Sequence, residues 1–153
     1  MIARDIMNTR FHTLSPSDTI AEAVNMFHTA SLEEGKRIFG LMVIDREERL
    51  VGMVSMYDIL LFVQPKHIHV WSEIEDLAAQ SFFDELLERV KSVQVSDIMT
   101  TSVVTVKPQT HAMVLADLMI KRHIRRLPVV EGDNLVGIVY ISDLFKHLLQ
   151  KFL

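Results

Sequence analysis

Cysteine is missing altogether from the 153 residues. That excludes a disulfide framework, a thiolate metal site and a thiol nucleophile. Glycine is scarce, with 5 scattered along the chain, so a glycine-rich phosphate cradle is excluded as well. The patterns of common catalytic machinery are absent: no Gly-x-Ser-x-Gly elbow, no His-Glu-x-x-His helix, no Walker loop and no dinucleotide fingerprint. These absences argue against an enzyme. No apolar run is long enough to cross a bilayer. The opening MIARDIMNTR mixes charges with single apolar residues, unlike a secretory signal. A cytoplasmic protein is expected. The net charge of -4 gives no general reason to bind nucleic acid. Only KRHIRR at 121–126 offers a local basic patch.

What the chain does have is repetition, which governs every later assignment. RDIMNTRFHTLSP at 4–16 returns as SDIMTTSVVTVKP at 96–108, with Asp5, Ile6, Met7, Thr13 and Pro16 all displaced by 92. RIFGLMVIDREERLVGMVSMYD returns as HIRRLPVVEGDNLVGIVYISD with a shift near 85. The shorter shift places extra residues in the first copy, within TASLEEGKR at 29–37, where they lengthen a helix or the loop after it.

Each copy reads β-α-β-β-α. A short strand lies around His12–Leu14 or Val103–Val106. Pro and a polar cap follow, Ser17-Asp18-Thr19 or Gln109-Thr110. Ala23, Met26, Phe27 and Ala30 mark a helix in the first copy; Leu115, Leu118, Met119 and Arg122 mark one in the second. Two strands joined by REER at 46–49 or EGDN at 131–134 come next. A second helix opens at Ser55–Asp58 or Ile141–Asp143. One such unit buries too little apolar surface to be stable alone. The expected fold is therefore α/β (α+β): two repeats packed as a pseudo-twofold pair. Residues 1–64 form repeat 1, 65–94 a helical insertion, and 95–153 repeat 2 with a C-terminal helix.

The insertion is long. VWSEIEDLAAQSFFDELLERVKSVQ at 70–94 reads as one amphipathic helix, with Ile74, Leu77, Ala78, Ser81, Phe82, Leu86 and Val90 on its apolar stripe. It either covers the module's own core or docks a separate effector protein or a second copy. At the end, LFKHLLQKFL offers Leu144, Phe145, Leu148, Leu149, Phe152 and Leu153, more apolar surface than one small face needs. His67 and His69 share one face of an extended segment, a spacing that occurs in metal sites. No third ligand stands out, and an exposed loop is the better reading.

The ordered set, twice over, resembles the CBS (cystathionine-β-synthase-type) domain, and a tandem pair resembles a Bateman module. Val95–Phe145 matches almost throughout. The first copy is looser, with Met42 where Pro128 stands and Gly40 where Arg126 stands. The resemblance implies a regulatory module that needs no cofactor. It would bind an adenosine-containing ligand (AMP, ADP or ATP, with S-adenosylmethionine a weaker candidate) in clefts between the repeats. It also implies a flat homodimer. The family's ribose-phosphate signature, Gly-h-x-[Ser/Thr]-x-x-Asp, is complete at Gly52–Asp58, with Ser55 and Asp58. At Gly137–Asp143 it keeps Asp143 but carries Tyr140 in place of the hydroxyl residue. A hydroxyl and N–H groups at a helix N-terminus suit a phosphate, and an Asp one turn on can accept a ribose diol. Arg125 or Arg126 is a candidate phosphate contact. By the same resemblance, Thr13 and Thr105 line the pockets, and backbone around Ile38–Leu41 and Ile124–Pro128 reads the adenine edge. The rival expectation is a structural interaction module with empty clefts.

Overall fold

The computed structural model describes residues 1–64 and 76–153. A short helix α1 (Ala3–Ile6) precedes β1 (Thr13–Leu14), α2 (Ile20–Glu34), β2 (Gly40–Ile44), β3 (Leu50–Ser55) and α3 (Met56–Val63). Helix α4 (Asp76–Val90) follows, then α5 (Ala112–Arg122), β4 (Arg126–Glu131), β5 (Asn134–Tyr140) and α6 (Ile141–Leu148). In repeat 1, β1 runs parallel to β2 and β2 antiparallel to β3. In repeat 2, β4 and β5 form the hairpin. The strand expected at Val103–Val106 is reduced there to a single parallel bridge, Val106 to Val129. This is the mixed architecture expected from the repeat.

Local chemistry sets the ends of these elements. Thr19 caps α2 in a reciprocal box: its Oγ1 accepts from the Glu22 N–H at 3.2 Å, and Glu22 accepts from the Thr19 N–H at 2.8 Å. Helix α2 ends at Gly35, with φ 65°. That left-handed position favours glycine. In repeat 2 the cap lies beyond Gln109-Thr110: the His111 ring accepts from the Met113 N–H at 3.1 Å. Gly132, at φ 64°, turns the second hairpin as EGDN suggested.

The two repeats exchange their openings. Met7 lies on Gly137 of repeat 2, and Met99 lies on Gly52 of repeat 1. Asn8 pairs with Ile138 as Thr100 pairs with Met53. Ala3 and Ile6 belong to the repeat 2 core with Leu115, Met119 and Leu127. Val95 belongs to the repeat 1 core with Phe27, Val43 and Val54. Two further hydrogen bonds repeat the symmetry: Met56 N–H to Phe39 C=O at 2.8 Å and Ile141 N–H to Arg125 C=O at 2.9 Å. Each opening segment thus fills the other repeat's core, so neither core is complete without both copies.

The helix expected over 70–94 stops at Val90. The chain beyond it is held by the start of α2. Ile20 N–H donates to Val93 C=O at 2.8 Å and Ala21 N–H to Lys91 C=O at 3.1 Å. These carbonyls satisfy first-turn donors that a helix cannot satisfy itself. Residues 65–75, with His67, His69 and Ile74, lie outside the described residues. Among the described side chains of α4 only Val90 is buried; Leu77 is 87% exposed. Among the described residues, no helix is long and apolar enough to cross a membrane.

Candidate functional site

Repeat 1's hairpin and repeat 2's strand entry meet at a cleft of about 460 Å³, here cleft 1. Its walls are mostly apolar: Phe39, Met53, Met56, Tyr57, Val103, Val104 and Pro128. Ser55, Ser102, His123, Arg125 and Arg126 supply polar groups. The size falls within the roughly 300–1,000 Å³ typical of small-molecule sites.

Ser55 caps α3. Its Oγ accepts from the Asp58 N–H at 3.0 Å, and Asp58 Oδ2 accepts from the Ser55 N–H at 2.8 Å. This box leaves the Ser55 hydroxyl proton and Asp58 Oδ1 unused, so the pair is fixed in place yet keeps a donor and an acceptor.

Arg126 sits at the first position of β4, opposite Tyr140. Its guanidinium crosses to repeat 1 and lies against Gly40; a Cβ there would collide with it. Gly40 is the pseudo-equivalent of Arg126, so the junction accommodates one long side chain, not two. Among the described residues, Arg126 Nε is the one buried side-chain polar atom without a hydrogen-bond partner. Burial pushes the guanidinium pKa down, Tyr140 and Asp58 draw it back up, and Arg125 lowers it further. A desolvated cation without a matched anion is costly. Arg125 is exposed and lies 5.5 Å from the centre of the Phe39 ring, at the rim.

The pseudo-symmetric partner, cleft 2, contains Tyr140 and Asp143. The Tyr140 hydroxyl donates to Glu34 Oε1 at 3.3 Å. Asp143 Oδ2 accepts from Lys36 Nζ at 3.2 Å and from Asn8 Nδ2 at 2.9 Å. Burial, then Glu34, pushes the Tyr140 pKa up, so the phenol keeps its proton.

Of the residues expected at the site, Ser55, Ile124, Arg125, Arg126 and Pro128 line cleft 1, with Asp58 bonded to Ser55. Tyr140 lies on the adjoining void of cleft 2, which Arg125 and Arg126 also border, and Asp143 is bonded there to Lys36. Ile38 and Leu41 point into the repeat 1 core. Thr13 pairs with Met42, Thr105 is exposed, and neither lines cleft 1. Phe39 was missed. It alternates with buried Ile38 and Gly40, and that strand alternation marked it as a cleft residue.

The family model of the CBS domain matches residues 3–64 and 95–150. The chain belongs to the CBS domain family. This CBS pair is 32% identical to the CBS domain-containing protein YhcV of Bacillus subtilis, across 92% of this chain and 81% of YhcV. It is 30% identical to the chloroplastic CBSX2 of Arabidopsis thaliana, across 95% of this chain and 63% of that protein. A match of 31% to the inosine-5'-monophosphate dehydrogenase of Methanocaldococcus jannaschii spans 88% of this chain but only 21% of the dehydrogenase. The structure of CBSX2 in complex with AMP superposes with a TM-score of 0.71 at 27% identity, covering 99% of this chain and 98% of that one.

Proposed function

We propose that this CBS pair is a regulatory module that binds an adenosine nucleotide of the AMP, ADP or ATP class in cleft 1. The unpaired guanidinium of Arg126 carries the reading, because a phosphate is the anion that would complete it. CBSX2, which has a structure in complex with AMP, adds support. The proposed roles follow from placement. Arg126 and the Ser55 hydroxyl hold phosphate, Asp58 Oδ1 holds the ribose hydroxyls, and the base lies between Met53, Val103 and Pro128. S-adenosylmethionine fits less well, since its sulfonium would add a positive charge near two arginines. No further cofactor and no catalysis are proposed.

Binding would change how the repeats meet at Arg126 and Gly40, and so act on a partner. We place a homodimer contact on the apolar face of α5 and α6, where Ile120, Ile141 and Phe145 are exposed around a groove of about 200 Å³. A separate effector would dock on α4, where Leu77, Phe83 and Leu87 are exposed. A cytoplasmic setting suits this ligand; nucleic acid and membrane are not proposed as partners.

Isothermal titration calorimetry against AMP, ADP, ATP and S-adenosylmethionine tests the reading. The expected result is saturable binding of a nucleotide at roughly micromolar level, weakened about tenfold or more in Asp58→Ala, which loses a hydrogen-bonding charge. Flat heats for all four with folded, ligand-free protein would sink it.

A further inference from the structure

The residues that break the repeat's symmetry are the ones that fill cleft 2. Helix α2 has 15 residues and α5 has 11, a difference of about one turn. Their left-handed caps, Gly35 and His123, correspond. The additional residues are therefore Ser31–Glu34 before the cap and Lys36-Arg37 after it. Three of them, Glu33, Glu34 and Lys36, enter cleft 2.

Their contacts form one chain. His12 Nε2 meets Glu33 Oε2 at 2.6 Å and His12 Nδ1 meets Glu34 Oε2 at 2.9 Å. Glu34 Oε1 accepts from the Tyr140 hydroxyl. Lys36 Nζ lies 4.4 Å from the centre of the Tyr140 ring and is paired with Asp143. This is an ammonium in a carboxylate-and-aromatic seat, the arrangement that recognises a cationic ligand. Lys36 lines both remaining voids, of about 320 and 440 Å³, so it divides the cleft. Asp143, the group a ribose would need, is paired with the Lys36 ammonium and also accepts from Asn8, both through Oδ2. Beside Tyr140 the void of about 320 Å³ also meets Arg37, Arg125 and Arg126, while the Glu34 carboxylate lines the void of about 440 Å³.

We propose that cleft 2 is a latch occupied by the chain's own Lys36, which ties the end of α2 in repeat 1 to Tyr140 and Asp143 in repeat 2. The module accordingly takes one nucleotide per chain. The stoichiometry rests on the nucleotide reading of cleft 1; the latch itself does not.

The test joins two measurements on the full chain. In urea denaturation, Lys36→Met and Asp143→Ala are combined in a double-mutant cycle. Partners in one seat should couple, with the double variant more stable than additivity predicts by about threefold or more in the folding constant. Asp143→Asn, which removes the charge paired with Lys36 but keeps the shape of the side chain, provides a milder second variant should Asp143→Ala fail to fold; it too should couple to Lys36→Met. In AMP titration, one nucleotide should bind per wild-type chain, and Lys36→Met should leave that affinity within about threefold, since Lys36 does not line cleft 1. A second AMP that appears only in Lys36→Met would equally mark Lys36 as the occupant. Additive stability effects would overturn the latch. Two AMP molecules per wild-type chain would overturn it too. If wild type binds no AMP, the reading of cleft 1 falls, and the cycle still decides the latch.

Discussion

Arg126→Met should move stability and binding in opposite directions. The change replaces a guanidinium by an apolar side chain that can still lie against Gly40. The folded protein now holds a cation with a fully buried Nε and no carboxylate within bonding distance among the described residues. Replacing buried ionic groups by apolar ones of similar volume is often neutral or stabilising by about 1–4 kcal/mol. Arg126 is only partly buried, so the low end applies, about 1 kcal/mol, or roughly 2–4 °C in Tm for a chain of this size. For binding, the same change deletes a charge-assisted hydrogen bond to phosphate, worth about 1.5–3 kcal/mol, or about 10- to 150-fold in Kd.

Thermal unfolding followed by circular dichroism and titration with AMP and adenosine read both effects. Wild type should prefer AMP to adenosine by about the factor that Arg126→Met removes, and adenosine affinity should hardly change. Gly40→Ala should destabilise wild type, because the three atoms nearest the new Cβ all belong to Arg126. Truncating that side chain, in Arg126→Ala, should relieve much of the loss. A Tm lowered by several degrees in Arg126→Met, with AMP affinity intact, would refute the reasoning: Arg126 would then be a structural residue whose partner has been overlooked.

Two more outcomes follow from the exchanged openings and from His12. Gly137→Ala places a Cβ 2.5 Å from Met7 Sδ and 2.8 Å from its Cγ. Urea denaturation should show a loss of about 1–3 kcal/mol, the usual result of overpacking, and Met7→Ala should recover much of it; no recovery would mean the contact is not what limits the site. The His12 pKa is raised above its ordinary 6.5, first by the hydrogen bond to Glu34, against desolvation, with Glu33 adding to the rise. Arg10, Lys36, Tyr140 and Asp143 complete the charged and titratable surroundings. A pKa higher in the folded state means the stabilisation is complete below the unfolded value and fades as pH rises through the folded one. The urea midpoint should therefore fall as pH rises above the ordinary histidine value of about 6.5, and His12→Gln should flatten that slope. Equal slopes in both proteins would refute the role of His12.

Much of this was written plainly in the chain. The shift of 92 located both copies, and the apolar periodicity placed Phe27, Ala30, Leu115 and Met119 in the cores. Gly132 and Thr19, in turn and cap segments the sequence marked, act through bonds between near neighbours. The exchange of openings was not legible, because Met7 on Gly137 is a contact between distant residues that pattern alone does not pair. The end of α4 at Val90 was hidden for the same reason: Lys91 and Val93 leave the helix to bond with α2. At the site, the signature found Ser55 and Asp58, while Thr105 and Leu41 were carried over by resemblance and do not line the cleft. The insertion at 29–37 was visible as a changed shift. That its Glu34 and Lys36 fill the opposite cleft depends on where the helix points once it has gained a turn.

The difference between Ser55 and Tyr140 thus has a physical partner in Gly40 and Arg126. Related positions of a duplicated chain face each other near the pseudo-twofold axis, so they compete for one volume. Arg126 fits because Gly40 yields the space, and its charge lies near Ser55 and Asp58 with no hydrogen-bonded anion on its Nε. On the other side Tyr140 fits because Glu34 takes its hydroxyl, and there the added turn brings both a cation and carboxylates. Arg126 borders both clefts; on the first side its Nε is left without a hydrogen-bonded anion, while on the second Lys36 is paired with Asp143 and Glu34 with Tyr140. An anionic ligand gains most where a cation is desolvated and unpaired, so on the proposed reading divergence at these four positions, together with the turn added to α2, turns two equivalent clefts into one receptor and one tie.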